Sequence, residues 1–267
     1  MKNAILVLFV LVISFGCSNQ KKEGPSIITK EVSYTADGTT LKGFLAYDEN
    51  IEGARPGVIV VHEWWGHNSY ARKRARMLAE LGYAALATDM YGDGKQADHP
   101  DNAGKFAMEI MQNMGTAKAR FNAGVKFLKE QSQTDASKIA AIGYCFGGGI
   151  VLRMAVSGED LKGVVSFHGG LPTDSVENPK KVKAKLLVCN GADDGFVSDE
   201  QIDAFKKAMV DAGINFKFVN YPGAIHAFSN PDADSLGKKF NLPLAYNKQA
   251  DENSWAEMQM FIKEIFK

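Results

Sequence analysis

Short apolar runs alternate with amphipathic segments along most of this chain. Several of these runs carry no polar side chain for either face, which is typical of strands buried on both sides of a sheet. Between them, apolar residues recur every three or four positions, the spacing of a helix with one buried face. Alternating strands and helices predict an α/β fold with a mostly parallel central sheet and helices on both faces. The predicted strands of this sheet are 58–61, 83–88, 138–144, 164–167, 186–189 and 216–221.

Turn and capping patterns predict the remaining elements. Strands predicted over 28–34 and 41–47 flank Asp37-Gly38, a dipeptide typical of tight turns, and so form an antiparallel hairpin. Ser198 and Gln201 have the spacing of a capping box, which marks the start of a helix. The predicted helices are 69–81, 102–131 with a break near Gly115, 150–155, 198–212 and 246–266.

Polar or nucleophilic residues follow the ends of several predicted strands. In open parallel sheets, ligands bind beyond the carboxyl ends of the strands, so these side chains are the first candidates for chemistry. They are Glu63, Asp89, Cys145, His168, Asp194 and His226.

Cys145 lies where a predicted strand turns directly into a predicted helix. It is flanked by Gly143 and Gly147, whose lack of bulk suits the sharp turn that presents a nucleophile at the top of a sheet. A thiol fits this place, because the N-terminus of the following helix favours the thiolate, which is the reactive form. The same window also fits a buried structural cysteine beside a glycine-rich packing site.

A nucleophile in this position needs a base, and the base needs an acid to orient it. Cys145 is followed by Asp193 and Asp194 after a later strand, and by His226 after the next one. Nucleophile, acid and histidine in this chain order are typical of α/β-hydrolases. The order leaves either aspartate as the acid.

Composition restricts the class of protein. The chain has 267 residues with 31 basic and 31 acidic side chains, so no net field attracts nucleic acid. Residues 27–267 suffice for a single domain, which we expect to be a monomer. The run 147–149 lacks the spacing of a dinucleotide-binding loop, and His62 and His67 are isolated from other ligands. We therefore expect neither a cofactor nor a metal.

The N-terminus is typical of an export signal. Lys2 precedes an apolar run over 4–13, which is too short to span a bilayer, and Gly16-Cys17 leads into polar residues. We interpret residues 1–17 as a lipoprotein-type signal ending at the lipidated Cys17, and residues 18–26 as a polar tether. This predicts a lipid-anchored protein of the cell envelope or periplasm. An ordinary secretory signal cleaved nearby is the alternative.

Four motifs together resemble the dienelactone hydrolase family of α/β-hydrolases, over about residue 27 to the C-terminus. The resemblance implies a catalytic set of Cys145, His226 and Asp194 rather than Asp193, with Glu63 contacting the thiol. It also implies an oxyanion hole from the backbone N–H groups of Phe146 and Trp64. The motifs are His62-Glu63-Trp64-Trp65-Gly66, Gly143-Tyr144-Cys145-Phe146-Gly147-Gly148, Asp194-Gly195-Phe196-Val197 and His226-Ala227-Phe228. Trp65, Tyr91 and Phe228 are the expected residues of the substrate pocket.

This chain departs from the family where the family carries two arginines that bind the substrate carboxylate. Tyr91-Gly92-Asp93 and Ser229-Asn230 stand at those places, which puts dienelactone itself in doubt. A thiol with a pKa of about 8.5 leaves more readily than an alkoxide, whose pKa is about 15. We therefore expect hydrolysis of small activated esters or lactones through a thioester intermediate. A lipid-anchored small-ligand binding protein with a catalytically silent site is the alternative.

Overall fold

The computed structural model describes residues 24–174 and 176–267. The predicted signal peptide, Cys17 and most of the predicted tether lie outside the described residues. No helix within the described part of the chain is long and apolar enough to cross a lipid bilayer.

Eight strands in these two ranges form one sheet in the order β1-β2-β4-β3-β5-β6-β7-β8. The strands are β1 (Ile27–Ala36), β2 (Thr39–Asp48), β3 (Arg55–Val61), β4 (Ala84–Thr88), β5 (Thr134–Tyr144), β6 (Gly163–Phe167), β7 (Lys185–Gly191) and β8 (Phe216–Tyr221). β1 pairs antiparallel with β2, and β2 pairs antiparallel with β4, whereas the other neighbours are parallel. The predicted hairpin and the predicted α/β fold with a mostly parallel sheet are both confirmed.

Helices cover both faces of this sheet. They are α1 (Ser69–Glu80), α2 (Pro100–Met111), α3 (Met114–Lys129), α4 (Phe146–Val156), α5 (Asp199–Asp211), α6 (Ala233–Phe240) and α7 (Lys248–Ile265), with a short 3-10 helix at Pro179–Lys181. Ile59 and Val61 of β3 belong to one core cluster, and Val58 and Val60 belong to another. Because successive side chains of a strand point to opposite faces, an all-apolar strand separates two cores.

Capping side chains explain where the observed helices differ from the predicted ones. The break in the long helical region comes at Asn113, whose side chain accepts from Thr116 N at 3.1 Å, and not at Gly115. The last helix begins at Lys248, because the Asn247 side chain accepts from Ala250 N at 3.0 Å. The capping box of Ser198 and Gln201 is confirmed. Helix α6 was not predicted, since it is only eight residues long.

Candidate active site

Cys145 occupies a strained turn between β5 and α4. Its φ of 52° and ψ of −117° place a non-glycine residue in a sparsely populated conformation, which costs about 1–3 kcal/mol. A Cβ at Gly143 would lie 2.1 Å from the carbonyl oxygen of Gly147, and a Cβ at Gly147 would lie 2.4 Å from that of Val61. Both flanking glycines are therefore required by backbone contact, as the sequence pattern predicts.

The structure brings Cys145, His226 and Asp194 into one hydrogen-bonded row. His226 Nε2 lies 3.1 Å from Cys145 Sγ, and His226 Nδ1 lies 2.8 Å from Asp194 Oδ2. The other oxygen of Asp194 accepts from Phe196 N at 2.9 Å, which fixes the buried carboxylate. Asp193 is exposed and has no hydrogen bond to the imidazole among the described contacts.

The charges around His226 favour its protonated form. Burial opposes this, but the sulfur of Cys145 as thiolate and the carboxylate of Asp194 raise the pKa of His226 to about 10. A protonated imidazole between these two groups is the arrangement that stabilises a thiolate–imidazolium pair.

Glu63 follows β3 and is buried, with 2% of its surface exposed. Its Oε2 accepts a hydrogen bond from Asn230 Nδ2 at 2.7 Å, and no hydrogen bond joins it to Cys145 in the described structure. Burial raises the pKa of Glu63 to about 7, against the opposing effects of Asn230 and of the positive charges at His226 and Arg74. Glu63 therefore exchanges its proton near neutral pH.

A second buried histidine supports the backbone of the nucleophile. His168 Nδ1 accepts from Cys145 N at 3.1 Å, so the neutral ring carries its proton on Nε2. That Nε2–H donates to Ser229 Oγ at 2.8 Å, and Ser229 Oγ lies 2.9 Å from the hydroxyl of Tyr70. Burial, with the positive charges of His226 and Arg74, holds the pKa of His168 well below its usual range. The sequence indicated His168 as a candidate at the end of a strand but assigned it no role.

Phe146 and Trp64, the residues expected to form the oxyanion hole, line the same cavity as Cys145. Phe146 begins α4, where an N–H has no partner within the helix. Among the described residues, neither N–H donates a hydrogen bond. Tyr91 donates from its hydroxyl to the Trp64 carbonyl at 3.0 Å and so fixes the peptide that follows Trp64. The two groups are available to a developing oxyanion.

A cavity of about 450 Å³ opens beside Cys145 and His226. Its walls are largely apolar and include Met111, Phe196 and Leu244, which the sequence did not indicate because they come from separate segments. Arg153 on α4 also lines the cavity. A volume of this size fits a small molecule.

The three predicted pocket residues do not line this cavity and lie behind its wall. Phe228 is fully buried and packs against His168 and Tyr221, with ring centroids 5.2 and 5.6 Å away. Trp65 is 5% exposed and stacks on Phe240 of α6, so Trp64 alone of the tryptophan pair lines the cavity. Tyr91 is 3% exposed and supports Trp64 from below. The structure thus places these three side chains in contacts with other rings or with the backbone, and the local sequence pattern does not indicate those contacts.

Ser229 and Asn230 stand where the dienelactone hydrolase family carries one of its two arginines. Both are buried, and their side chains contact His168 and Glu63 respectively. They serve the interior of the site and do not line the cavity. Within 24–174 and 176–267, no three His, Cys, Asp or Glu side chains are grouped as metal ligands.

Known proteins resemble this chain over most of its length. Protein usf of Aquifex pyrophilus is 30% identical over 238 residues, which cover 87% of this chain and 97% of that relative. A putative carboxymethylenebutenolidase of Aquifex aeolicus is 29% identical over 209 residues, covering 77% of this chain and 89% of its own. The solved structure of a dienelactone hydrolase-like promiscuous phosphotriesterase from metagenomic libraries is 35% identical, with a TM-score of 0.84, over 90% of this chain and 98% of that one.

The fold and the sequence lead to the same family. The solved structures with high TM-scores also include a protein named m3DLH, 36% identical with a TM-score of 0.85 over 90% of this chain and 99% of that one. The model of the dienelactone hydrolase family matches residues 41–266. The sheet order, the turn at Cys145 and this match agree, and the chain belongs to the dienelactone hydrolase family.

Proposed function

We propose that this protein hydrolyses small activated esters or lactones, with Cys145 as the nucleophile. The observation that carries the proposal is the row of three side chains, with 3.1 Å between Cys145 Sγ and His226 Nε2 and 2.8 Å between His226 Nδ1 and Asp194. The row ends at a cavity of about 450 Å³ that is large enough for a small substrate.

The proposed reacting form is an ion pair of the Cys145 thiolate and the protonated His226, in which the thiol proton resides on Nε2. Asp194 accepts the hydrogen bond of the other ring nitrogen and stabilises the imidazolium that forms. Glu63, whose pKa burial raises to about 7, is proposed as a second acceptor for the thiol proton.

The thiolate then attacks the carbonyl carbon of the substrate, and an S–C bond forms while the carbonyl π electrons move to oxygen. The N–H groups of Phe146 and Trp64 stabilise this oxyanion. When the tetrahedral intermediate collapses, the C–O bond to the leaving group breaks, and His226 gives its proton to the departing oxygen. The product of this half-reaction is a thioester on Cys145.

Water completes the cycle. Neutral His226 accepts a proton from water as the water oxygen attacks the thioester carbon. The second tetrahedral intermediate expels the Cys145 thiolate and releases the carboxylic acid.

The thiol restricts the substrate through its leaving ability. A first intermediate that carries both a thiolate, with a pKa of about 8.5, and an alkoxide, with a pKa of about 15, reverts by losing the thiolate. Phenolate, with a pKa of about 10, competes much better. Enol esters, aryl esters and strained lactones are therefore the proposed substrates, and amides are the least suitable.

A panel of substrates tests the proposal. Wild type and Cys145→Ala are each assayed with ethyl acetate, phenyl acetate, an enol acetate and a strained lactone. We expect turnover of the aryl and enol esters at least a hundredfold above the ethyl ester, loss of turnover in Cys145→Ala, and a thioester detected by mass spectrometry after rapid quenching. Equal turnover by the variant contradicts the proposed role of Cys145. Binding without hydrolysis contradicts the proposal and favours the alternative, a small-ligand binding protein with a catalytically silent site.

Aryl phosphotriesters are a second candidate substrate class, because a 35% identical protein of the same fold is described as a promiscuous phosphotriesterase. In this reaction the thiolate would attack phosphorus and an aryloxide would leave. An aryl dialkyl phosphate in the same panel decides the matter. Release of the phenol by wild type but not by Cys145→Ala supports this class, and no release by either removes it.

A further inference from the structure

One face of α4 links the nucleophile to an arginine without a partner. Cys145, Gly149 and Arg153 are spaced four residues apart, so they follow one another along the same side of this helix, and all three line the catalytic cavity. We propose that Arg153 binds an anionic group on the acyl part of the substrate. The substrates would be activated esters or lactones whose acyl chain carries a carboxylate several bonds from the reacting carbonyl. This inference rests on the hydrolase function proposed above.

Arg153 is half-buried and, unlike Arg74 and Arg120, has no hydrogen-bond or ion-pair partner among the described residues. Its Nε is buried without a hydrogen bond, and no carboxylate of the described residues lies within 4.0 Å of its guanidinium nitrogens. By contrast, Arg74 binds Tyr70 and Asp251, and Arg120 donates to the Met90 carbonyl at 2.8 Å. Leaving a buried donor of a charged group without a partner is unfavourable, and a ligand that accepts a hydrogen bond from it would remove that cost.

The helix sets the distance between the sulfur and the cation. Eight residues at about 1.5 Å each separate the two Cα atoms by about 12 Å along the axis. A long side chain on a helix leans back toward the N-terminus, which brings the guanidinium closer to Cys145 than its Cα. The reacting carbonyl carbon of a substrate and its anionic group should therefore lie on the order of 6–12 Å apart.

Gly149 and Gly170 both line the cavity between these two residues. A Cβ at Gly149 would lie 3.2 Å from the carbonyl oxygen of Gly170, so Gly149 already packs closely against the neighbouring loop. A Cβ at Gly170 would meet nothing within 4 Å, so open space adjoins that residue. The proposed acyl chain would occupy this space between the sulfur and the guanidinium.

The guanidinium of Arg153 matters for binding because most of the other side chains that line the cavity are uncharged. Leu171, Leu242 and Leu244 contribute apolar wall, and Gln201 is neutral. A guanidinium binds a carboxylate by two parallel hydrogen bonds, which fix the orientation of the bound group. Arg153 also borders a neighbouring cavity of about 460 Å³ that Asp174, Glu177, Lys118 and Lys181 help to line, and these four charges balance.

A matched pair of esters tests this assignment. The anionic member is the 4-nitrophenyl monoester of adipic acid, and the neutral member is the same ester with its free carboxylate methylated. We expect wild type to prefer the anionic ester at least tenfold in kcat/KM. Arg153→Gln should lower this ratio at least tenfold, mainly through KM, and Arg153→Lys should lower it less because it keeps the charge. Arg72→Gln is the control, since Arg72 pairs with Glu31 on the surface and should leave the ratio unchanged.

A second variant tests the route along the helix. Gly149→Ala retains Arg153 and narrows the passage, so it should reduce kcat/KM for the adipate ester several-fold more than for 4-nitrophenyl acetate. Circular dichroism verifies that each variant is folded. If Arg153→Gln does not fold, Arg153→Lys and Gly149→Ala carry the test through the same ratio.

The outcomes separate this proposal from the function on which it rests. A neutral ester hydrolysed through Cys145 with an unchanged ratio in Arg153→Gln overturns the role of Arg153 alone. If neither ester is hydrolysed, the hydrolase proposal fails, and calorimetric titration with monomethyl adipate then tests Arg153 as a binding residue. Equal affinity of wild type and Arg153→Gln for monomethyl adipate overturns the assignment, and at least tenfold weaker binding by the variant supports it.

Discussion

Replacing Glu63 by glutamine should make this protein more stable at neutral and alkaline pH. Glu63 is 2% exposed, and burial raises its pKa from 4.5 to about 7. Glutamine has nearly the same shape and retains an oxygen that can accept from Asn230 Nδ2, which now lies 2.7 Å from Oε2. The substitution therefore removes the ionisation and keeps the hydrogen bond.

The magnitude follows from linkage between protonation and folding. A pKa raised in the folded state means that folded protein binds the proton more tightly than unfolded protein does. The resulting stability is fully present below pH 4.5 and is lost as the pH rises to about 7. The interval between 4.5 and about 7, at about 1.36 kcal/mol per unit, gives about 3 kcal/mol.

The assay is urea denaturation of wild type and Glu63→Gln at several pH values from 4.5 to 8.5, followed by tryptophan fluorescence. The difference in unfolding free energy should shift by about 3 kcal/mol in favour of the variant between pH 4.5 and 8. Other groups, including His226, titrate in both proteins and largely cancel in the difference. Glu80→Gln, at an exposed position at the end of α1, is the matched control and should show no such shift.

A flat difference across this pH range would refute the reasoning. It would mean that Glu63 is solvated or already paired in the folded protein, so that burial imposes no cost. Activity provides a separate readout, because Glu63→Gln removes a proposed proton acceptor. We expect kcat for an aryl ester to fall while stability rises, the trade-off typical of a site that holds a buried charge.

Three further predictions follow from the same contacts. Ser229→Ala removes the acceptor of His168 Nε2–H and should lower the free energy of unfolding, measured in urea, by about 1–3 kcal/mol. Iodoacetamide should also alkylate Cys145 more slowly in this variant. An unchanged alkylation rate argues against a positioning role for His168. Gly147→Ala places a Cβ 2.4 Å from the Val61 carbonyl and should destabilise the fold by about 3 kcal/mol or reduce soluble protein, and a stable, active variant would contradict this. We propose that Cys17 carries a lipid, so Cys17→Ser should move the protein from the membrane fraction to the soluble fraction of cells; retention in the membrane fraction speaks against lipidation.

The sequence alone determined the fold class and the row of reactive residues. Strands such as β3 are apolar on both faces, and this pattern is compatible only with a sheet covered by helices on both sides. The position of Cys145 was equally local, because the flanking glycines are needed for contacts within a few residues and with the neighbouring strand β3. In a parallel sheet the strand ends share one edge, so the chain order predicted that Cys145 and His226 meet with an aspartate between them in the sequence. The choice of Asp194 over Asp193 came from the resemblance to the family.

The tertiary structure alone decided what surrounds that row. Glu63 and Asn230 are 167 positions apart, and no local pattern indicates that the amide of one holds the carboxylate of the other. Trp65 and Phe228 were expected in the pocket and lie behind its wall, because α6 and β8 supply rings that cover them. The sequence places Arg153 in a predicted helix and indicates no function for it. Only the packing of α4 shows that Arg153 borders the cavity and that its guanidinium has no partner among the described residues. Burial and partnership depend on the neighbours that distant segments provide, and these are determined only when the chain packs.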